Sequence, residues 1–378
     1  LLKNLEEEMK IIEKKKKKIS PNDEEIKKCS DLAFKLENLK TEVEKNFRAY
    51  PLPVVYYTPE TRFAFGAVTL FNFRFKGESA ESRNSQFQLG GAYTQNDQML
   101  FYAPYQFFLK ENKYNIFGQF YYYNYSYNFY GVGNDVPKDY EELYFVNIPR
   151  IRINATQLVR KNLYFGFRYW FDEFDIQETE ENGLLSQNLV EGADGGTISS
   201  LGFVALYDSR DNYNYPEKGA WFEILALPNR KELGSDFNFI RFSLDYVKYH
   251  KVASKSVFVV NLFGVSNFGE VPFNEMAFIG GRSKMRGYYE GRFRDKHLWM
   301  VQAEWRQEIK GKIGAVAFGG VGGVASEINN FELNNTVPSA GVGIRYRMDE
   351  SDKINIRLDY GVGLYGSSGI YLTFGEAF

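Results

Sequence analysis

The 378-residue sequence has one cysteine, Cys29, and two histidines, His250 and His297. A lone cysteine excludes an intrachain disulfide framework. Two histidines on separate segments, without a suggestive neighbourhood, give no basis for a zinc site or a Ser-His-Asp triad. No run of about 18 apolar residues occurs, so membrane-crossing helices are excluded. Excess charge of one sign is missing as well, with 46 basic against 48 acidic residues. That balance gives a nucleic-acid partner no support. No Walker loop or G-x-G-x-x-G stands in a strand-to-helix setting, and no cofactor, metal or enzymatic activity is expected. The acidic run Asp172, Glu173 and Asp175 reads as a solvated rim. Asp208, Asp211 and Asn212 lack the spacing and closing glutamate of an EF-hand calcium loop.

Aromatic side chains, by contrast, are abundant: 28 Tyr, 34 Phe and 4 Trp make up 17% of the chain. Mean hydropathy is nevertheless −0.41. The combination fits a soluble β-sandwich or a transmembrane barrel, because only alternate residues of a barrel strand meet lipid.

Two regions differ in period. Over residues 1–49, Leu2, Leu5, Met9 and Ile12 recur at helical spacing, followed by a lysine run from Lys14 to Lys18. Ser20-Pro21-Asn22-Asp23 reads as a cap and acidic first turn of a second helix. In it Cys29, Leu32, Leu36, Leu39 and Val43 form a narrow coiled-coil-like stripe suited to a protein partner. The lysine run reads as a solvated helix face, with lipid phosphates or an acidic partner as the sharper alternative. The chain begins at Leu1 rather than Met, which reads as a processed or trimmed product.

From residue 50 to 378 the period is two. Ile354, Ile356 and Leu358 alternate with Asn355, Arg357 and Asp359, and Trp299 to Arg306 behaves likewise. Candidate strands fall near 54–58, 63–76, 83–95, 98–110, 113–128, 141–159, 161–176, 196–209, 218–229, 236–251, 254–268, 297–309, 312–324, 338–348, 353–364 and 369–378. Many span about 10–15 residues, against about 5–6 for soluble strands. Length, aromatic girdles and the even count of sixteen favour an all-β, 16-stranded antiparallel transmembrane β-barrel preceded by a short α-helical segment. Tight turns such as Asn96-Asp97 and Lys161-Asn162 are expected at the periplasmic end, and the longer segments 177–195 and 269–296 outside. The chain is expected to end inside its last strand, on Phe378.

The segment Gly280-Gly281-Arg282-Ser283-Lys284-Met285-Arg286-Gly287-Tyr288 resembles the [VIL]-R-G-[FY] loop of the BamA/TamA superfamily of outer-membrane assembly and translocation barrels. That resemblance implies a loop folded back into the lumen, with Arg286 paired to acidic wall residues. Glu304-Trp305 is similar to the family's glutamate-aromatic pair and makes Glu304 the implied partner. In Phe318-Gly319-Gly320-Val321-Gly322, Gly320 stands where the family's F-x-D-x-G has its aspartate, which puts the second partner in doubt. Asp208-Ser209-Arg210-Asp211 with Pro216 and Gly219 resembles a family crossing, and Tyr57 to Thr61 its first hairpin turn. Ile370 to Phe378 resembles the closing strand, with Gly375 expected to end pairing early. The family usually places POTRA domains before its barrel, and the first ~50 residues match none. Arg286 as an ordinary pore-lining arginine is the competing reading.

The resemblance implies a bacterial outer-membrane location with a periplasmic N-terminal segment and lipid or lipopolysaccharide around the barrel. It also implies a part in protein or lipid insertion or translocation through a weak seam. The short first strand after Pro51 and Pro53, together with Gly375, would weaken that seam. An accessory subunit contacting its complex through the N-terminal stripe, or a passive pore, are the alternatives.

Overall fold

The computed structural model describes residues 47–378 except 59–61, 80, 134–136, 138 and 333–334, with the side chains of 55–62 also outside the description. The expected N-terminal helices, and with them Cys29, Leu32, Leu36, Leu39 and Val43, lie outside the described residues.

Sixteen antiparallel strands follow the period-two pattern. They are β1 (Phe47–Thr58), β2 (Arg62–Phe73), β3 (Ser85–Thr94), β4 (Met99–Leu109), β5 (Tyr114–Phe129), β6 (Glu142–Arg160), β7 (Leu163–Thr179), β8 (Gly196–Asp208), β9 (Gly219–Asn229), β10 (Phe239–Ala253) and β11 (Ser256–Gly269). Two short strands, β12 (Ala277–Ile279) and β13 (Phe293–Asp295), pair only with each other inside the next connection. The sheet then continues through β14 (His297–Lys310), β15 (Ile313–Ala325), β16 (Val337–Asp349), β17 (Ile354–Gly363) and β18 (Ser368–Phe374). Each strand pairs with its neighbour in the chain, and β14 pairs with β11. No ladder joins β1 to β18 among the described residues. The sheet still curls until its ends approach. Arg48 on β1 lies 2.6 Å from Asp349, the last residue of β16, and 3.3 Å from Asp352 in the β16–β17 connection. Asn72 and Asn84 donate to the same Asp352, at 2.5 and 2.8 Å.

The two faces are reversed relative to a soluble sandwich. On β7, Phe165 and Phe167 are 47% and 54% exposed, whereas Arg168 and Asp172, on the alternate face, are 6% and 0% exposed. Apolar side chains thus point away from the molecule and charges point into it. Water would penalise that arrangement and a lipid surround would favour it.

Three expectations need correction. The first strand is not short: β1 starts at Phe47, carries Pro51 and Pro53, and pairs with β2 over twelve residue pairs without a register break. Proline is tolerated because β1 is a sheet edge, where a missing N–H can face outward. Asn96-Asp97 and Lys161-Asn162 do not share an end. Every hairpin reverses direction, so the β3–β4 turn lies with the long loops and the β6–β7 turn lies with the chain termini. Finally, the last strand stops at Phe374: Gly375, at φ 75°, turns the chain inward and leaves Phe378 outside the ladder.

Both mouths are filled. At the loop end, Leu185, Ala193, Phe237, Phe273 and Met276 pack with Tyr144, Ile148 and Phe174 of the wall into one buried apolar cluster. At the terminal end the 209–218 connection folds under the lumen. Gln86 donates to Asn214 Oδ1 at 2.6 Å, and Asn214 donates to the Asp352 carbonyl at 2.9 Å.

The arginine-loop anchor as candidate functional site

The β11–β14 connection, residues 270–296, enters the lumen rather than lying over it. Ile279, Met285, Arg286, Tyr288 and Phe293 are all at most 1% exposed. The β12–β13 pair frames the loop, and short backbone bonds close it. Gly280 N–H donates to the Lys284 carbonyl at 2.8 Å, and Gly281 N–H to the Tyr288 carbonyl at 3.0 Å. Gly287 sits at φ 117°, and a Cβ there would stand 2.6 Å from the Val362 carbonyl carbon. Only glycine permits both that dihedral and that approach. Facing it, a Cβ on Gly361 would meet the Arg286 carbonyl carbon at 2.7 Å, so loop and β17 touch backbone to backbone.

Arg286 is clamped between two strands. Its Nη2 lies 2.5 Å from Glu304 on β14, and its Nη1 donates to Asp359 on β17. Its guanidinium carbon stands 3.5 Å from the ring centroid of Phe318 on β15. A buried guanidinium stays charged, so it needs carboxylates, acceptors and polarisable faces to offset lost hydration. Glu304 also accepts from Arg306 at 2.7 Å, and Asp359 from Arg345 at 2.5 Å. Arg357 approaches Asp359 at 3.6 Å. Beyond the end of β18, Glu376 pairs with Arg345 at 2.7 Å. Burial opposes its ionisation, yet Arg345 and Arg306 hold its carboxyl below the usual range. The network therefore sets four guanidiniums against three carboxylates.

The position of Gly320 has a steric explanation. Gly320 pairs with Gln302 in the ladder, and a Cβ there would lie 2.8 Å from Gln302 Cβ and 2.9 Å from Met285 Sδ. The loop methionine occupies the room an aspartate would need. Gln302 takes over local clamping: it accepts from Met285 N–H at 3.2 Å and donates to the Ser283 carbonyl at 2.8 Å. The second carboxylate comes instead from Asp359. The sequence carried a signal for it, since Arg357 and Asp359 fall on the lumen face of an alternating strand beside Arg345, but nothing local linked them to Arg286.

Tyr288 seals the other flank, donating to the Pro338 carbonyl at 2.5 Å and accepting from Leu364 N–H at 2.9 Å. Gly287 N–H donates to Tyr371 Oη of β18 at 3.0 Å. Phe378 reaches across the lumen and packs beside Tyr215, Val247 and Val259. Its main-chain oxygen accepts from Arg306 at 2.8 Å, and its ring lies 5.9 Å from the Arg286 guanidinium. Loop, closing strands and chain end are thus one polar assembly. Elsewhere, Asp208 pairs with Arg83 and, at 2.9 Å, with Arg210, which lies 4.6 Å over Trp221. Asp208 is therefore engaged with arginine, while Asp211 accepts from the Glu217 and Lys218 N–H groups at 2.9 and 3.2 Å. Among the described residues no group of His, Cys, Asp and Glu could hold a metal ion. His250 and His297 lie at different ends of β10 and β14 and are not brought together.

The Omp85 superfamily domain model matches residues 72–378. BamA, the outer membrane protein assembly factor of Nitratidesulfovibrio vulgaris Hildenborough, is 26% identical over 128 residues, or 32% of this chain and 16% of that protein. Among solved structures, BamA of Haemophilus ducreyi lacking POTRA domains 1–3 aligns with a TM-score of 0.53 at 14% identity, covering 87% of this chain and 69% of that one. CdiB of Acinetobacter baumannii aligns at 0.55 and 13% identity, covering 87% and 58%. At such identities the structural matches establish a common fold.

Proposed function

Because the chain belongs to the Omp85 superfamily, we propose that it is an outer-membrane barrel that assists insertion or translocation of proteins, or of lipids, through the seam between β1 and β18. The observation that carries this reading is the juxtaposition of a rigid anchor with unpaired edges. Arg286, Glu304 and Asp359 fix β14 to β17 from inside, while β18 and β1 share no ladder among the described residues. Unpaired edge strands present free N–H and C=O groups to an incoming strand. β18 is the shortest strand of the sheet at seven residues, so the edge beside it has few bonds to give up. In this reading the terminal end faces the periplasm, the loop end faces outward, and the exposed aromatic faces contact lipid or lipopolysaccharide. Residues 1–46 would supply the docking element for soluble partners.

A passive pore is less well supported, because apolar packing fills the loop end and the arginine loop occupies the lumen. An accessory role in an envelope complex shares the same barrel and differs in its dependence on the N-terminal stripe. Depletion in the native host separates the two. Insertion predicts lower levels of other outer-membrane barrels or surface proteins, and a cysteine pair that locks β1 to β18 should reproduce the loss. Unchanged levels under both conditions would sink the insertion reading. An accessory subunit would instead lose its co-purifying partner when Leu32 and Leu36 become Asp.

A further inference from the structure

The anchor occupies one side of the lumen. On the other side, between the arginine loop and the wall formed by β3 to β7, lies a chamber of two lobes. The lobes measure about 330 and 460 Å³, and Gln119, Arg152 and Trp170 line both. Such volumes match those of small-molecule sites, typically ≈ 300–1,000 Å³.

The two lobes differ in chemistry. The smaller, beside Tyr213 at the terminal end, is rich in amides, with Gln88, Gln106, Gln119 and Asn154 facing inward. The Gln88 side chain makes no hydrogen bond among the described residues, and Gln119 uses only its oxygen, accepting from Tyr121 at 2.7 Å. An amide offers donor and acceptor side by side, which complements a hydroxyl that is itself both. The larger lobe carries an aromatic strip in which Tyr121 and Tyr123 lie parallel, 5.0 Å apart at 8°.

Charge in the larger lobe is unbalanced: five arginines line it against two glutamates. Four of the five are occupied. Arg150 and Arg152 pair with Asp172, while Arg241 donates to the Glu275 carbonyl and Arg294 to the Phe273 carbonyl. Arg282 is different. Its guanidinium, exposed to the lobe, has no hydrogen-bond or ion-pair partner among the described residues, and its electrostatic neighbours are the Tyr121, Tyr123 and Tyr102 phenols and the Glu290 carboxylate. A guanidinium that lines an aromatic lobe and is ion-paired to neither of its glutamates can take up an anion.

From the juxtaposition of the unpartnered Arg282, the Tyr121–Tyr123 strip and the free amides of Gln88 and Gln119, we infer that the chamber is a binding site for a short acidic saccharide. The sugar's carboxylate or phosphate meets Arg282, its apolar ring face lies on the tyrosines, and its hydroxyls exchange hydrogen bonds with the amides. The Arg282 side chain faces away from the Arg286 anchor, which touches this residue only through Arg357 donating to its carbonyl at 2.8 Å, and the inference does not depend on the insertion reading.

The test uses the full chain in detergent micelles, titrated calorimetrically with digalacturonate. Maltose serves as the neutral disaccharide of similar size, and inorganic phosphate as the anion alone. Digalacturonate is expected to bind at least tenfold more tightly than maltose, and phosphate to give no saturable heat. Arg282→Gln should weaken digalacturonate roughly tenfold, in line with about 1.4 kcal/mol per factor of ten, and leave maltose unchanged. Gln88→Leu with Gln119→Leu should weaken both sugars at least threefold while keeping the preference for the acid. The inference is overturned if folded protein gives no digalacturonate signal, if Arg282→Gln binds it unchanged, or if phosphate binds as tightly as the sugar. Should Arg282→Gln disrupt the loop, the glutamine pair on β3 and β5 decides: unaltered sugar affinity there overturns it.

Discussion

Asp359 of β17 ion-pairs with Arg286, a residue 73 positions earlier in the chain and on a different element. The same carboxylate holds Arg345, so its loss would leave two guanidiniums short of a partner in a buried site. Asp359→Asn is therefore expected to cost about 3–5 kcal/mol, the range for removing one member of a buried ion pair. Urea unfolding in a lipid or detergent host measures it, and a change below about 1 kcal/mol would contradict the clamp.

Gly320→Asp restores the residue the family pattern expects, yet it should harm this protein. Its Cβ would crowd Gln302 and Met285, a case of overpacking worth about 1–3 kcal/mol. Met285→Ala opens that space. A double-mutant cycle should then show favourable coupling of about 1 kcal/mol or more between the two changes. Simple additivity would mean that Met285 is not the obstacle.

Gly287→Ala tests the loop's fold. The dihedral at φ 117° and the closeness of Val362 both resist a methyl group. Strain of about 1–3 kcal/mol is expected, relieved by moving the loop off β17. Limited proteolysis within 280–291 should rise in the variant while the strands stay protected.

Glu376 predicts an acid-sensitive chain end. Its carboxyl is held below the usual range, so its pairing contributes above the unfolded-state value of about 4.3 and is lost as pH falls through the lower folded value. The sign follows from proton uptake: the unfolded chain binds the proton first as pH drops. Glu376→Gln should lower stability at neutral pH and flatten its dependence on pH below about 4.5. Parallel wild-type and variant curves would remove Glu376 from the account.

The strand pattern was legible because lipid outside and charge inside impose strict alternation, as in Ile354 to Tyr360. Candidate strands and observed strands agree closely over β2 to β11 and β14 to β17, while the short lumenal pair β12 and β13 was read as loop. The exceptions have physical causes. Prolines at 51 and 53 look like strand breakers until β1 is known to be an edge. The turn at Asn96-Asp97 is short, but which end it occupies depends on the parity of preceding strands, not on its own composition. Ile370, Leu372 and Phe374 alternate correctly, and the inward turn at Gly375 depends on lumenal partners, Arg306 and Arg345, that lie on other strands. The arginine loop was visible as a motif. Asp359 was not, because ion pairing across the lumen leaves no local periodicity.

The anchor also constrains the order of assembly. Arg286 and Glu304 are only 18 positions apart, whereas Asp359 lies 73 positions from the arginine. Contacts across long chain separations form late because closing the loop between them costs entropy. A nascent barrel holding the sheet only through β15 would place Arg286 beside Glu304 and Arg306 with one carboxylate for two guanidiniums. Arrival of β17 and the chain end brings Asp359 and Glu376, together with Arg345 and Arg357 on the last strands. The lumen thus reaches its final charge pairing only when the last strands are in place, so an incomplete barrel is electrostatically marked as unfinished.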